Sequence, residues 1–196
     1  MEIKSLITEF VELIESGKVE IYNEASLQYE LAIFLRNKYP DHKIQLERNI
    51  SYFGLPKLKF EKKEKFKKKE MDIIIFKDKN NLKNAIIIEL KAIIEQGKAR
   101  PVTVFEWIKD LKFLEQLKSE GAECYSIFFT DEDKFLSGTK NVGNLLKDFR
   151  NKKVEGTYEK HQKSNHEHKP IKLSNSYSFD WKEIKNTKLR YFIIEI

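Results

Sequence analysis

The chain has a single cysteine, Cys124, so no disulfide can close within it. A reducing compartment, the cytoplasm, is the expected setting. It has no run of about 18 apolar residues, so no membrane span is expected. Its first residues, MEIKSLITEF, carry an acid early and lack a basic start followed by an apolar core. They do not read as a secretory signal. Neither GxGxxG nor GxxxxGK occurs, which leaves nucleotide-driven chemistry without support. There is no internal repeat, and no linker persuasive enough to divide the chain. One domain is expected over 1–196, with an N-terminal helix in 1–22, a core over 24–130 and a C-terminal extension over 131–196 that ends in a strand.

What the chain does have is enough apolar material for a core: 196 residues, 40% of them hydrophobic. It is also basic, with a net charge of +6 and a pI near 9.1. Much of that charge is local. Residues 57–70, KLKFEKKEKFKKKE, hold eight Lys and three Glu. A basic surface attracts polyanions such as nucleic acid. The competing reading is a solvated Lys-rich loop. If the run binds nucleic acid, Lys62, Lys63, Lys65, Lys67, Lys68 and Lys69 would grip the phosphate backbone without reading sequence.

Periodicity outlines the elements. Ile3, Leu6, Ile7, Phe10, Val11 and Ile14 fall at helical spacing, and Gly17 ends that helix. A second helix is predicted from Glu24 to Lys38, capped by Asn23 and stopped before Pro40. Residues 44–53 alternate as a half-buried strand. MDIIIF (71–76) and AIIIELKAI (85–93) read as the two strands of a hairpin. Residues 102–118 form a helix, and ECYSIFFT (123–130) a fourth strand. A helix between the third and fourth strands permits a parallel crossover. The expected class is therefore α/β with a mixed central sheet flanked by helices. Further on, 141–150 reads as a short helix, 155–176 as polar loop and 188–196 as a terminal strand.

The acid–any–Lys pattern is frequent in so charged a chain. It starts at Glu2, Asp41, Glu61, Asp110, Glu132, Glu167, Asp180 and Glu183 as well as at Glu89. Only Glu89-Leu90-Lys91 directly follows a buried-type strand, Ala85-Ile86-Ile87-Ile88. Strand alternation puts Glu89 and Lys91 on one face and Leu90 on the other. Two charges at the end of an apolar strand are costly unless paired or metal-bound. Asp72, at the start of the neighbouring hairpin strand, would lie beside Glu89. Two such carboxylates repel unless a cation sits between them, and Mg2+ suits one or two carboxylates, waters and phosphate oxygens. The bland alternative is a cross-strand salt bridge to Lys91.

Asp72, the step to Glu89, and Glu89-Leu90-Lys91 resemble the PD-(D/E)XK nuclease superfamily over roughly the first two-thirds of the chain. The resemblance implies an αβββαβ restriction-endonuclease-like core and phosphodiester hydrolysis dependent on Mg2+ or Mn2+. It implies that Asp72, Glu89 and the Leu90 carbonyl hold the metal while Lys91 assists the attacking water. Met71 stands where many members have proline. Many members also carry an acid on the helix before the first core strand. At about 100° per residue, Glu24 falls within about 35° of the centre of the inward stripe Leu27–Leu31–Phe34–Leu35, and Glu30 about 85° away. Glu24 is the preferred fourth catalytic residue, although its place in the first helical turn also suits the helix dipole. Glu30 and Glu47 remain alternatives.

His161, His166 and His168 lie in a polar stretch that reads as solvated loop. Trp107, Trp181 and Cys124 read as packing residues. DNA is the favoured substrate, with RNA, sequence specificity, endo- or exonuclease action and a homodimer all open. Two rivals stand beside the enzyme: a nucleic-acid-binding module on an inactive nuclease fold, and a protein-interaction accessory subunit.

Overall fold

The six apolar residues spaced for a helix at the N-terminus form the buried stripe of α1 (Ile3–Glu15). Gly17 follows at φ +72°, a left-handed conformation that glycine adopts without strain. α2 (Glu24–Lys38) begins with a reciprocal cap. Ser26 N–H donates to Asn23 Oδ1 at 2.7 Å, and Asn23 N–H donates to Ser26 Oγ at 3.1 Å. Two orphan amides are thereby satisfied at the helix start. The computed structural model describes residues 2–54, 70–79, 82–94, 101–136, 143–159 and 170–196. The lysines expected to grip phosphate, Lys62, Lys63, Lys65, Lys67, Lys68 and Lys69, lie outside these residues, as do His161, His166 and His168.

β1 (Lys43–Asn49) pairs antiparallel with β2 (Glu70–Phe76), and β2 with β3 (Ile86–Ile93). α3 (Pro101–Ser119) then crosses over, so that β4 (Glu123–Thr130) lies parallel to β3. After α4 (Gly143–Arg150) come β5 (Lys153–Val154), β6 (Thr157–Tyr158), β7 (Ile171–Lys172), β8 (Tyr177–Ser178) and β9 (Lys182–Glu183). β10 (Arg190–Glu195) ends the described order. The central sheet is mixed and six-stranded, in the order β1-β2-β3-β4-β10-β9. No helix among the described residues is long and apolar enough to cross a membrane.

Alternation along the strands divides the interior into two cores. Ile73, Ile75, Ile86, Ile88 and Leu90 pack with α1 and α2, whereas Ile74, Phe76, Ile87 and Phe128 pack with α3. A sheet buried on both faces explains why MDIIIF and AIIIEL read as continuous apolar runs.

Two expectations need correction. The strand expected over 44–53 stops at Asn49, and Ile50–Phe53 form a 3-10 turn. The Asn49 side chain accepts from Ser51 N–H at 3.0 Å, a local bond that competes with the ladder. Tyr52 therefore leaves the strand, and the Arg48 guanidinium stacks 3.6 Å from its ring centre. The stretch expected as loop over 155–176 contains, among its described residues 155–159 and 170–176, the strands β6 and β7. β6 pairs with β7, and β5 with β8. The apolar residues scattered in that polar stretch, Tyr158, Ile171 and Leu173, are buried.

Glu115 on α3 fastens this region. Its carboxylate accepts from Ser174 N–H at 2.8 Å, Asn175 N–H at 3.0 Å and Tyr177 O–H at 2.9 Å, and pairs with Lys112 Nζ at 3.1 Å. Burial pushes its pKa up, but the Ser174 amide, Lys112 and Tyr177 outweigh that and hold it below the ordinary 4.5. A lowered carboxylate pKa stabilises the fold above the unfolded value, and the stabilisation is lost as pH falls through the folded value. Glu115→Ala is expected to cost about 2 kcal/mol at neutral pH, the range for hydrogen bonds to a buried charge. The difference between parent and variant in urea melts should shrink in acid. A difference that persists unchanged well below pH 4.5 would contradict the charged clamp.

Candidate active site

β2 and β3 pair only at Ile73–Ile88, Ile74–Ile87 and Ile75–Ile86. Past Ile88, β3 continues to Ile93 against β4. The amides of Leu90 and Ala92 thus face a side on which the β2 ladder has ended. Buried amides without partners are costly, and here carboxylates take them. Leu90 N–H donates to Asp72 Oδ2 at 2.7 Å, and Ala92 N–H donates to Glu24 Oε2 at 3.0 Å. The N–H and C=O of a strand residue point to the same neighbour, so the Leu90 carbonyl lies on the side of Asp72.

Asp72 and Glu89 are both buried, 8% and 1% exposed. Asp72 N–H donates to Glu89 Oε1 at 3.4 Å, which brings the second carboxylate against the main chain of the first. Lys91, two residues past Glu89, places Nζ 3.0 Å from Glu24 Oε2. Burial lowers its pKa, but the nearby Glu24, Asp110 and Asp72 carboxylates more than reverse this and raise it above the ordinary 10.5. Lys91 is accordingly a fixed positive charge at neutral pH, suited to stabilising anionic oxygen and unsuited to accepting a proton.

The salt bridge considered from sequence therefore exists, but its acid comes from α2 and not from a neighbouring strand. Of the helix acids, Glu24 reaches β3. Glu30, one and a half turns on, is half-buried and makes no hydrogen bond or ion pair to these residues among those described. Glu47 is exposed and linked to the site through Gln28, whose Nε2 donates to Glu47 Oε1 and to the Asp72 carbonyl, each at 2.8 Å.

Two residues escaped the sequence reading. Gln28 lies one turn after Glu24, on the same helix face, which was the available signal. Asp110 is buried on α3, three residues from Trp107 and inside the apolar stripe. An acid in such a stripe is itself a signal, but Asp110-Leu111-Lys112 is one of many acid–any–Lys matches in so charged a chain.

Among the described residues no three His, Cys, Asp or Glu side chains cluster as a metal-ligand group. The oxygen donors that could hold a hard cation are Asp72, Glu89 and the Leu90 carbonyl. That set is compatible with Mg2+ or Mn2+, which keep several waters and need only one or two carboxylates. A surface concavity beside β10, lined by Lys4, Lys118, Ser176, Tyr177 and Ile196 among others, contains none of these residues. No protein-family model, no curated protein and no solved structure matches the chain.

Proposed function

We propose that this chain is a metal-dependent nuclease of the PD-(D/E)XK kind that hydrolyses phosphodiester bonds, DNA foremost. One observation carries the reading. Two buried carboxylates, Asp72 and Glu89, adjoin where β2 leaves β3, with the charged Lys91 two residues further along β3. The element order α2-β1-β2-β3-α3-β4 is compatible with the αβββαβ core that the motif implies.

In this reading Asp72, Glu89 and the Leu90 carbonyl hold Mg2+ or Mn2+. When bound, the metal supplies a lowered pKa for its water and neutralises charge on phosphate oxygens. Lys91 places a permanent positive charge where the phosphoryl oxygens become more negative. Glu24 positions Lys91 and fills the Ala92 amide, so the ammonium is held in place before substrate arrives.

The test is cleavage of DNA and RNA by the purified chain with Mg2+ or Mn2+, and its arrest on chelation. Cutting that persists in excess chelator contradicts the metal mechanism. A second reading, a nucleic-acid-binding module on an inactive nuclease fold, draws support from the Lys91–Glu24 ion pair and from the lack of a three-acid cluster among the described residues. Binding without cleavage on every substrate form would favour it.

The helix acid gives a sharper comparison. Glu24→Gln is expected to slow cleavage by about tenfold or more, in the range for groups that orient a metal site. Glu30→Gln, away from the site, should stay within about twofold, as partly exposed positions without specific partners do. Rates measured side by side under saturating metal decide it, and the reverse ranking would remove Glu24 from the mechanism.

A further inference from the structure

The β1–β2 ladder skips one pair. Its register runs Leu46–Ile73 and then Arg48–Met71, so Glu47 and Asp72 stand opposite each other without pairing. Glu47 departs from strand geometry, and the Asp72 main chain makes hydrogen bonds outside the β1–β2 ladder. Glu47 has φ +48°, a left-handed conformation that strains a residue with a side chain. The Asp72 N–H points to Glu89, and its carbonyl accepts from Gln28. Alternation slips at the same place, because Met71 packs on the α3 side although Ile73 packs on the other.

The Gln28 carboxamide bridges the two sides of this break. One Nε2 group donates both to Glu47 Oε1 and to the Asp72 carbonyl. A carboxamide has two N–H donors, which matches these two acceptors. Strained residues persist only where their surroundings over-determine them, and they gather at functional sites. We infer that Gln28 is a positioning residue: by bridging Glu47 and Asp72 it holds the strand break open and keeps Asp72 turned toward Glu89. The inference rests on the proposed metal-dependent reading in so far as Asp72 is a metal ligand. The break itself does not depend on that reading.

Gln28→Met keeps the length of the side chain and removes both donors. Gln28 is half-buried, so the fold should survive the exchange. Two measurements separate the possibilities. In nuclear Overhauser spectra, cross-strand contacts between Glu47 and Asp72 backbone protons should appear in the variant, because the freed Asp72 carbonyl returns to the ladder. In Mn2+ titrations followed by electron paramagnetic resonance, affinity should fall about tenfold or more, with a melting temperature close to the parent's. If the break stays open in Gln28→Met, or closes with Mn2+ affinity unchanged, the inference is overturned while the functional proposal stands. If the parent chain binds no Mn2+, the metal site itself fails and takes the positioning role with it. A large fall in melting temperature together with a persisting break would also overturn the inference, because Gln28 would then serve only the fold. Glu47→Gly provides an independent arm. Glycine accepts φ +48° without strain, so the melting temperature should hold or rise while Mn2+ affinity falls. Unchanged affinity there would mean the Glu47 half of the bridge does nothing for Asp72.

Discussion

Glu89→Gln is expected to reduce metal-stimulated cleavage about a thousandfold and to leave the melting temperature in chelator unchanged or higher. In the proposed mechanism Glu89 is one of two side-chain oxygen ligands. Losing about 4 kcal/mol of charge stabilisation at the reacting phosphate corresponds to about a thousandfold in rate. The stability effect has the opposite sign. Glu89 is 1% exposed and adjoins Asp72, so its charge is both desolvated and set against a like charge. The amide keeps an oxygen to accept the Asp72 N–H while removing that repulsion. Residues selected for chemistry commonly trade stability in this direction. The experiment pairs cleavage rates under saturating Mg2+ with thermal melts in chelator. A destabilised variant that still cuts at the parent rate would make Glu89 a residue of the fold and not of the site.

Trp107→Ala is expected to cost about 3–5 kcal/mol, the range for deleting a large buried aromatic side chain. Trp107 is 1% exposed, and its ring meets Phe128, Phe149, Phe179 and Phe192 edge-on at centroid distances from 5.2 to 6.1 Å. Such edge-to-face pairs add to the area they bury. Its indole N–H donates to Ser126 Oγ at 3.0 Å, and Ser126 is itself buried, so deletion also strands a hydroxyl. Trp107→Phe, which keeps most of the packing and loses the donor, should cost about 1–3 kcal/mol. These rings come from α3, β4, α4, β10 and the segment before β9, so the cluster joins the chain's last third to its core. Urea unfolding should therefore show one transition for the parent and an earlier single transition for Trp107→Ala. A cost below about 1 kcal/mol, no more than a typical substitution, would contradict the cluster's role, and a second transition would mark the C-terminal part as a separate unit.

How much could be read from the residues depends on the range of the forces involved. The stripe Ile3–Leu6–Ile7–Phe10 and the Asn23 cap act within a turn or two of helix, so spacing alone predicted α1 and the start of α2. β4 was bounded correctly because Gly121 and the run ECYSIFFT define it locally. The strand over 44–53 was overextended because its alternation continues through Tyr52, while the Asn49 side chain had already turned the backbone at Ser51. β6 and β7 went unseen because two-residue strands are stabilised by their partners and leave almost no pattern of their own.

By itself, the sequence determined the order of the main elements, the apolar character of β2 and β3, and the nomination of Asp72, Glu89, Lys91 and Glu24. The element order and the pairing of Asp72 with Glu89 and Lys91 follow from periodicity and apolar runs along the chain, whereas a helix acid is implied by the family resemblance and helical phase only chooses Glu24 over Glu30. The tertiary structure alone decided how these residues meet. It ended the β2–β3 ladder at Ile73–Ile88, put Asp72 and Glu24 on the amides of Leu90 and Ala92, and gave Lys91 an acid from α2. It also recruited Gln28 and brought Asp110 toward Lys91. The physical reason is that buried amides and charges must find partners wherever geometry offers them. Those partners here lie 18 to 68 residues away along the chain, beyond the reach of any local pattern.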